Sequence, residues 1–382
     1  MEQLDNKLLE RLSKERSPNS ISIYMPTPKA DPESKENQNR INLKNKIKQA
    51  RQELDNQGMK NNEIEDYLKP LNDLIDDALF LRNLWNGLVI FLNQNTFEYY
   101  TVPLDFDDSM YMGKDFYLLP LLRPVRENRE FYILSLNLHG VKLYKSDRFH
   151  ISEVEVEEFI PEKLGEATGI DHYKDKVYQH RSAKVGDGRT FYHGHAKGEE
   201  EKKEEELKFL RYVEQGLRDV LHNEDKPLIV ASVDHIFGLF KEVTDYKYLK
   251  EENISESPKE ESVQGLQEKA WALIQKELDQ ERQQMVQKYM DVTNKSDIVE
   301  EIIPNILYGR VDSLFVNKRE FVWGRLKDES FDVDIHSERD EDCEDLLNFA
   351  AIKAYLHDGN IYLMEPEEMP QKNKLLNAIY RF

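Results

Sequence analysis

Apolar side chains change their spacing repeatedly along the first hundred residues. Leu4, Leu8 and Leu12 recur at helical intervals and predict a short amphipathic helix, and after Ser17-Pro18-Asn19 the run Ile21-Ser22-Ile23-Tyr24-Met25 alternates as a half-buried strand does. Pro26 and Pro28 end that strand. A polar stretch from Lys29 to Asn39 leads to a helix with Leu43, Ile47, Ala50 and Leu54 on one face. A second helix carries the stripe Tyr67, Leu71, Leu74, Ile75, Ala78 and Leu79. Gly87–Leu92 is then a continuous apolar run, too short and too β-branched for another helix, so it reads as a buried strand. These elements make a complete small α/β unit that closes near Pro124.

The pattern restarts with FYILSL at 131–136, turns at His139-Gly140 and returns as Val141-Lys142-Leu143-Tyr144, which is a hairpin signal. A polar connection occupies roughly 160–200. Behind it Leu207, Leu210, Val213, Leu217 and Leu221 mark a helix, and Leu228 to Val233 a strand. The polar segment 250–258 closes this unit. A third unit opens on a long charged helix through Leu266, Ala270, Ile274 and Leu278, then a helix over 296–308 that stops at Gly309 in the manner of a C-cap glycine. Strands at 313–316 and 321–323, a helix through Leu346, Leu347, Ala350, Ala354 and Tyr355, and strands at 360–364 and 378–382 complete it. The expectation is an α/β protein of three domains in series, 1–125, 126–255 and 256–382, each a small mixed sheet covered by helices.

Composition agrees with a folded chain. Hydrophobic residues are 39% and aromatics 10% of 382 residues, enough for cores, while 33% charged residues leave a heavily charged surface. The net charge of -21 argues against a protein that grips nucleic acid over its whole surface, so any RNA contact belongs to a local basic patch. Cys343 is the lone cysteine, which excludes an intrachain disulfide and a thiolate zinc cluster and fits a reducing compartment. The charged opening MEQLDNKLLERLSKERSP has no apolar core of signal-peptide type, and no stretch of about 18 uncharged apolar residues is present, so a cytoplasmic location and no membrane partner are expected. Trp85, Trp271 and Trp323 each adjoin apolar neighbours and read as core rather than as base-stacking platforms.

One stretch departs from the rest. Residues 171–197, DHYKDKVYQHRSAKVGDGRTFYHGHAK, hold six Lys or Arg against three Asp, together with four of the ten histidines. This is a basic island in an acidic protein, punctuated by Gly186, Gly188 and Gly194, and the acidic run behind it suits a helix N-terminus. Such a loop, 181–198, fits a narrow phosphate-lined space, because glycine permits close backbone approach while Arg and His meet phosphates. Arg181, Lys184, Arg189 and Lys197 are the candidate RNA contacts. Two plainer readings stay open: an ordinary polar surface loop, and a metal site in which His193 and His195 act with Asp171 or His172. The latter lacks the helical His spacing that would support it, and neither metal nor cofactor is expected. No phosphate-binding Gly-x-x-x-x-Gly-Lys-Ser/Thr loop and no Gly-x-Ser-x-Gly elbow occurs.

Taken in order, several segments resemble the archaeal and eukaryotic class-1 release factor and Pelota superfamily, and most closely its bacterial branch with degraded motifs. Tyr192-His193-Gly194-His195-Ala196-Lys197, followed by a charged helix and PLIVASVDHIFGLFKEV, is similar to the middle domain that carries a Gly-Gly-Gln loop. FYILSLNLHGVKLY resembles that domain's opening hairpin. NSISIYMP, Asn39-Arg40-Ile41-Asn42 and GLVIFL resemble parts of the first domain, and YGRVDSLFV and LNAIYRF parts of the third, whose fold is shared with kink-turn RNA-binding ribosomal proteins.

The resemblance implies partners: the ribosome, its RNA, peptidyl-tRNA and a translational GTPase. It also implies a role for His193, Gly194 and His195, which stand where the family has Gly-Gly-Gln. Only Gly194 is retained, and His195 takes the position of the glutamine that places water for cleavage of the peptidyl-tRNA ester; a ring nitrogen can hold water in the same way. The codon-reading Asn-Ile-Lys-Ser segment is replaced by Glu36-Asn37-Gln38-Asn39, which speaks against stop-codon reading. Two functions follow as expectations. One is hydrolysis or rescue of stalled peptidyl-tRNA; the other is a non-catalytic, Pelota-like factor that binds or remodels ribosomes.

Overall fold

The computed structural model describes residues 4–28, 30–156, 195–255, 262–327, 331–339 and 343–382. The chain is α/β and divides into two compact units, one formed by residues 1–127 with 279–382 and the other by 128–278.

In the first unit a four-stranded antiparallel sheet has the order Phe97–Val102, Gly87–Leu92, Arg16–Pro26, Ser109–Asp115. Helices Pro32–Asn56 and Asn61–Asp76 cover it, and Leu43, Ile47, Leu68 and Leu71 meet Ile21, Ile23, Leu88 and Ile90 in one core. The polar stretch before Leu43 is helical from Pro32. Asp31 caps it through Oδ1, 3.1 Å from the Ser34 N–H, and the proline occupies the first turn, where its missing N–H costs nothing. Two sequence expectations fail in this region. Leu79 is 70% exposed, because the second helix stops at Asp76 and a short one, Ala78–Arg82, starts on a new axis with Asp77 as its cap. Trp85 is 45% exposed rather than core.

The same unit holds a mixed sheet ordered Asn360–Met364, Val311–Asn317, Leu376–Tyr380, Lys295–Ser296. Its parallel pair, Val311–Asn317 with Asn360–Met364, is joined through the helix Leu346–Leu356, as parallel neighbours require. Gly309 follows the helix Val299–Leu307 at φ +69°, a conformation that glycine adopts without strain. A small sheet of Val333–Ile335, Trp323–Leu326 and Glu344–Asp345 lies between these elements in sequence. Trp323 is half-buried there, its ring stacked with Tyr111 at 6.2 Å and with Phe321 at 6.0 Å.

In the second unit the sheet order is Ile151–Val154, Gly140–Ser146, Phe131–Asn137, Leu228–Ala231, with the last two strands parallel. Tyr132, Leu134 and Leu136 point to one face, where Phe209, Leu210, Val213, Ile236 and Phe240 of the helices His195–Val220 and Asp234–Val243 pack. Phe131 and Ile133 point to the other, against Leu266, Ala270, Ile274 and Leu278. Alternation places successive side chains on opposite faces, and a strand covered on both faces must be apolar throughout, which is why FYILSL shows no polar period. The helix Val263–Asp291, which the sequence assigns to a third unit, therefore gives its first half to the second one.

Candidate functional site

The site suggested by the sequence depends on the helix His195–Val220. Its buried positions Glu206, Leu210, Val213 and Leu217 recur at intervals of three and four residues, and Glu206 is the first of them. Lys202, Lys203 and Glu204 before it are all exposed. His195 is eleven residues ahead of Glu206, which at about 1.5 Å per residue is roughly 16 Å of helix. Glu206 itself touches His235, just past the carboxyl end of the strand Leu228–Ala231. Ligand sites in sheets with parallel strands favour this carboxyl edge, and the helix continues beyond it.

Of the predicted site residues, Arg181, Lys184, Arg189, His193 and Gly194 lie outside the described residues, as does the Asp171 and His172 part of the metal reading. His195 and Lys197 fall in the first turn of the helix, which begins three residues before Gly198, so their backbone is helical rather than loop. Among the described residues no group of three or more His, Cys, Asp or Glu is arranged to hold a metal ion.

The geometry at the base of the projecting helix was not anticipated. Glu206 is 2% exposed, and its Oε2 lies 2.8 Å from His235 Nε2, with Lys202 Nζ 3.8 Å from its other oxygen. His235 is largely exposed, so one imidazole covers a carboxylate that enters the interior from the rim. Beside it Asp234 opens the helix Asp234–Val243 and accepts bonds from Ser255 Oγ at 2.6 Å and Asn253 Nδ2 at 3.2 Å. Those bonds, Ser255 first and Asn253 second, lower the Asp234 carboxyl below its ordinary range. Asn253 also donates to the Ser232 carbonyl at 2.9 Å, tying the chain after the strand to the turn before the helix. A signal for Glu206 is present in the sequence: it occupies the register of Leu210, Val213 and Leu217, where a charge needs a partner.

Residues 131–276 match a family model described as bacterial archaeo-eukaryotic release factor family 7. The resemblance to the bacterial branch of the release factors therefore holds over this segment, which spans the hairpin, the helix His195–Val220 and the strand after it. No curated protein matches the chain. Among solved structures, an archaeal translation termination factor is 16% identical over 98% of this chain and 96% of its own, with a TM-score of 0.23. Pelota from Archaeoglobus fulgidus is 12% identical over 77% of this chain and 79% of its own, with a TM-score of 0.32. Archaeal Pelota from a ribosome-bound model is 12% identical over 78% and 77%, at 0.36. Among the described residues no helix is long and apolar enough to cross a membrane.

Proposed function

We propose that this chain is a ribosome-directed, release-factor-like protein that frees stalled peptidyl-tRNA, with 181–198 entering the peptidyl-transferase centre. The observation that supports this most is the family match over 131–276, which contains the basic, glycine-punctuated stretch and the helix behind it. In this reading His195 holds the attacking water, Gly194 permits close backbone approach, and Arg181, Lys184, Arg189 and Lys197 meet RNA phosphates that the acidic remainder of the surface repels. The setting is the cytoplasm and the partners are ribosomal RNA and peptidyl-tRNA. Peptide release from a stalled ribosomal complex, measured with the wild type, His195→Ala and Gly194→Ala, tests it. At least a tenfold loss in either variant is expected; equal release by all three removes the catalytic claim.

The loss of all but Gly194 from the Gly-Gly-Gln motif favours a second reading. Here the protein binds or remodels ribosomes with a GTPase and cleaves nothing. Co-sedimentation with ribosomes in the absence of peptide release selects it, and failure to co-sediment excludes both readings.

A further inference from the structure

Within the first unit, a cavity of about 200 Å³ opens where the turn after the helix Asn6–Leu12 meets the ends of two strands and the helix Leu346–Leu356. Its charged groups come from distant parts of the sequence. Arg16 Nε lies 3.0 Å from Asp115, and Arg16 Nη2 lies 3.4 Å from Glu344. Asp115 and Glu344 therefore lie side by side against the same guanidinium. Burial, then the charge of Asp115, pushes the Glu344 carboxyl up to about 7, with Arg16 and Lys353 pulling the other way. Lys14 and Lys353 line the same space.

Other polar lining groups are already committed to the fold. Asp345 accepts the N–H groups of Val322, Leu347 and Asn348 at 3.1, 3.2 and 3.3 Å. Asn348 accepts from Leu118 and Leu119 and donates to the Phe116 carbonyl. What remains for a ligand is a set of both signs beside the apolar walls of Phe116, Phe349, Ile352 and Leu356.

We propose that this cavity binds a free α-amino acid with an apolar side chain. The lining offers both signs, Asp115 and half-buried Glu344 on one side, exposed Lys14 and half-buried Lys353 on the other, so a purely anionic or purely cationic ligand would match only one of the two sets. A zwitterion answers both. Its ammonium meets the Asp115 and Glu344 carboxyls beside Arg16, and its carboxylate takes the lysines. The apolar walls receive its side chain, and the volume is too small for a nucleotide. This inference is independent of the ribosomal reading.

Calorimetric titration of the full chain at pH 7.5 tests it with leucine, methionine and phenylalanine as probes. Leucine is accompanied by its two half-molecules, 3-methylbutylamine and 4-methylpentanoate. Binding of at least one amino acid, with each half-molecule at least tenfold weaker than leucine or unbound, is the expected result. Glu344→Gln and Lys353→Gln should each lower the affinity tenfold or more with the far-UV spectrum unchanged; Lys14→Gln serves if Lys353→Gln does not fold. Absence of binding by all three amino acids overturns the proposal, as do half-molecules that bind as well as leucine, or variants that keep full affinity.

Discussion

In the unit formed by residues 128–278, Glu206 enters the interior while its partner stays outside: His235 covers it from the rim, and Lys202 stands on the same helix one turn away. In the unit formed by 1–127 and 279–382, Asp345 enters with its partners inside. Asp345 is 1% exposed and is held by three backbone N–H groups, while its neighbour Glu344 faces Asp115 and the exposed Arg16. A charge answered by backbone dipoles is part of the fold, since nothing else can fill that role. A charge answered by one exposed side chain is adjustable. The comparison therefore predicts graded consequences for removing each arrangement.

Asp345→Ala should have the largest effect. It removes the cap of the helix Leu346–Leu356 and leaves the buried Val322 N–H without an acceptor. The lost cap costs about 1 kcal/mol and an orphaned buried N–H roughly 1–3 kcal/mol, so a loss of about 3 kcal/mol in urea unfolding is expected. Asp345→Asn keeps an acceptor and should recover much of it. If alanine and asparagine are equally stable, the backbone bonds are not what holds this carboxylate.

Next comes pH. Glu344 is raised to about 7 and Asp345 to about 6, both chiefly by burial. An acid whose pKa is higher in the folded state than in the unfolded one, near about 4, binds more protons when folded between those values. Stability is therefore greatest at the acid end of that window and falls as pH rises through it toward about 7. Glu344→Gln should flatten the slope by about 2 kcal/mol between pH 5 and 8. A variant with the wild-type slope would assign this pH dependence to another group.

How far the sequence led depends on where the deciding contacts lie along the chain. FYILSLNLHGVKLY read as a hairpin because two apolar runs and a His139-Gly140 turn are a local signal, and residues 131–137 and 140–146 pair as that signal requires. The helix through Leu43 and Leu54 begins earlier than its apolar stripe, at Pro32 behind the start signal Asp31-Pro32, because its first turns are polar; even their buried member, Asn39, is an amide whose Nδ2 reaches the Leu81 carbonyl. Trp85 misled for the opposite reason: apolar neighbours in sequence say nothing about which face a single side chain takes. The Asp115, Glu344 and Arg16 group could not be read at all, since Arg16 lies 99 positions from Asp115 and 328 from Glu344. The stretch around His193, Gly194 and His195 was legible as composition and as resemblance, which identify a kind of loop without fixing where its side chains point.

The smallest expected effect tests the adjustable charge. His235→Ala leaves Glu206 buried with only the more distant Lys202. A buried charge stripped of its partner can cost roughly 3–5 kcal/mol, but His235 is largely exposed and water enters where its ring was, so about 1 kcal/mol is expected. The sharper measurement is the double change. Glu206 stands in the register of Leu210 and Val213, so Glu206→Leu extends the apolar stripe and removes the charge that needed covering. His235→Ala should then be nearly neutral in the Glu206→Leu background, with unfolding midpoints of single and double variants giving the coupling. If His235→Ala costs the same with and without Glu206, the imidazole acts on the helix Asp234–Val243 alone. The carboxylate at the base of the projecting helix would then be held by Lys202, and the two units would differ less than their geometry indicates.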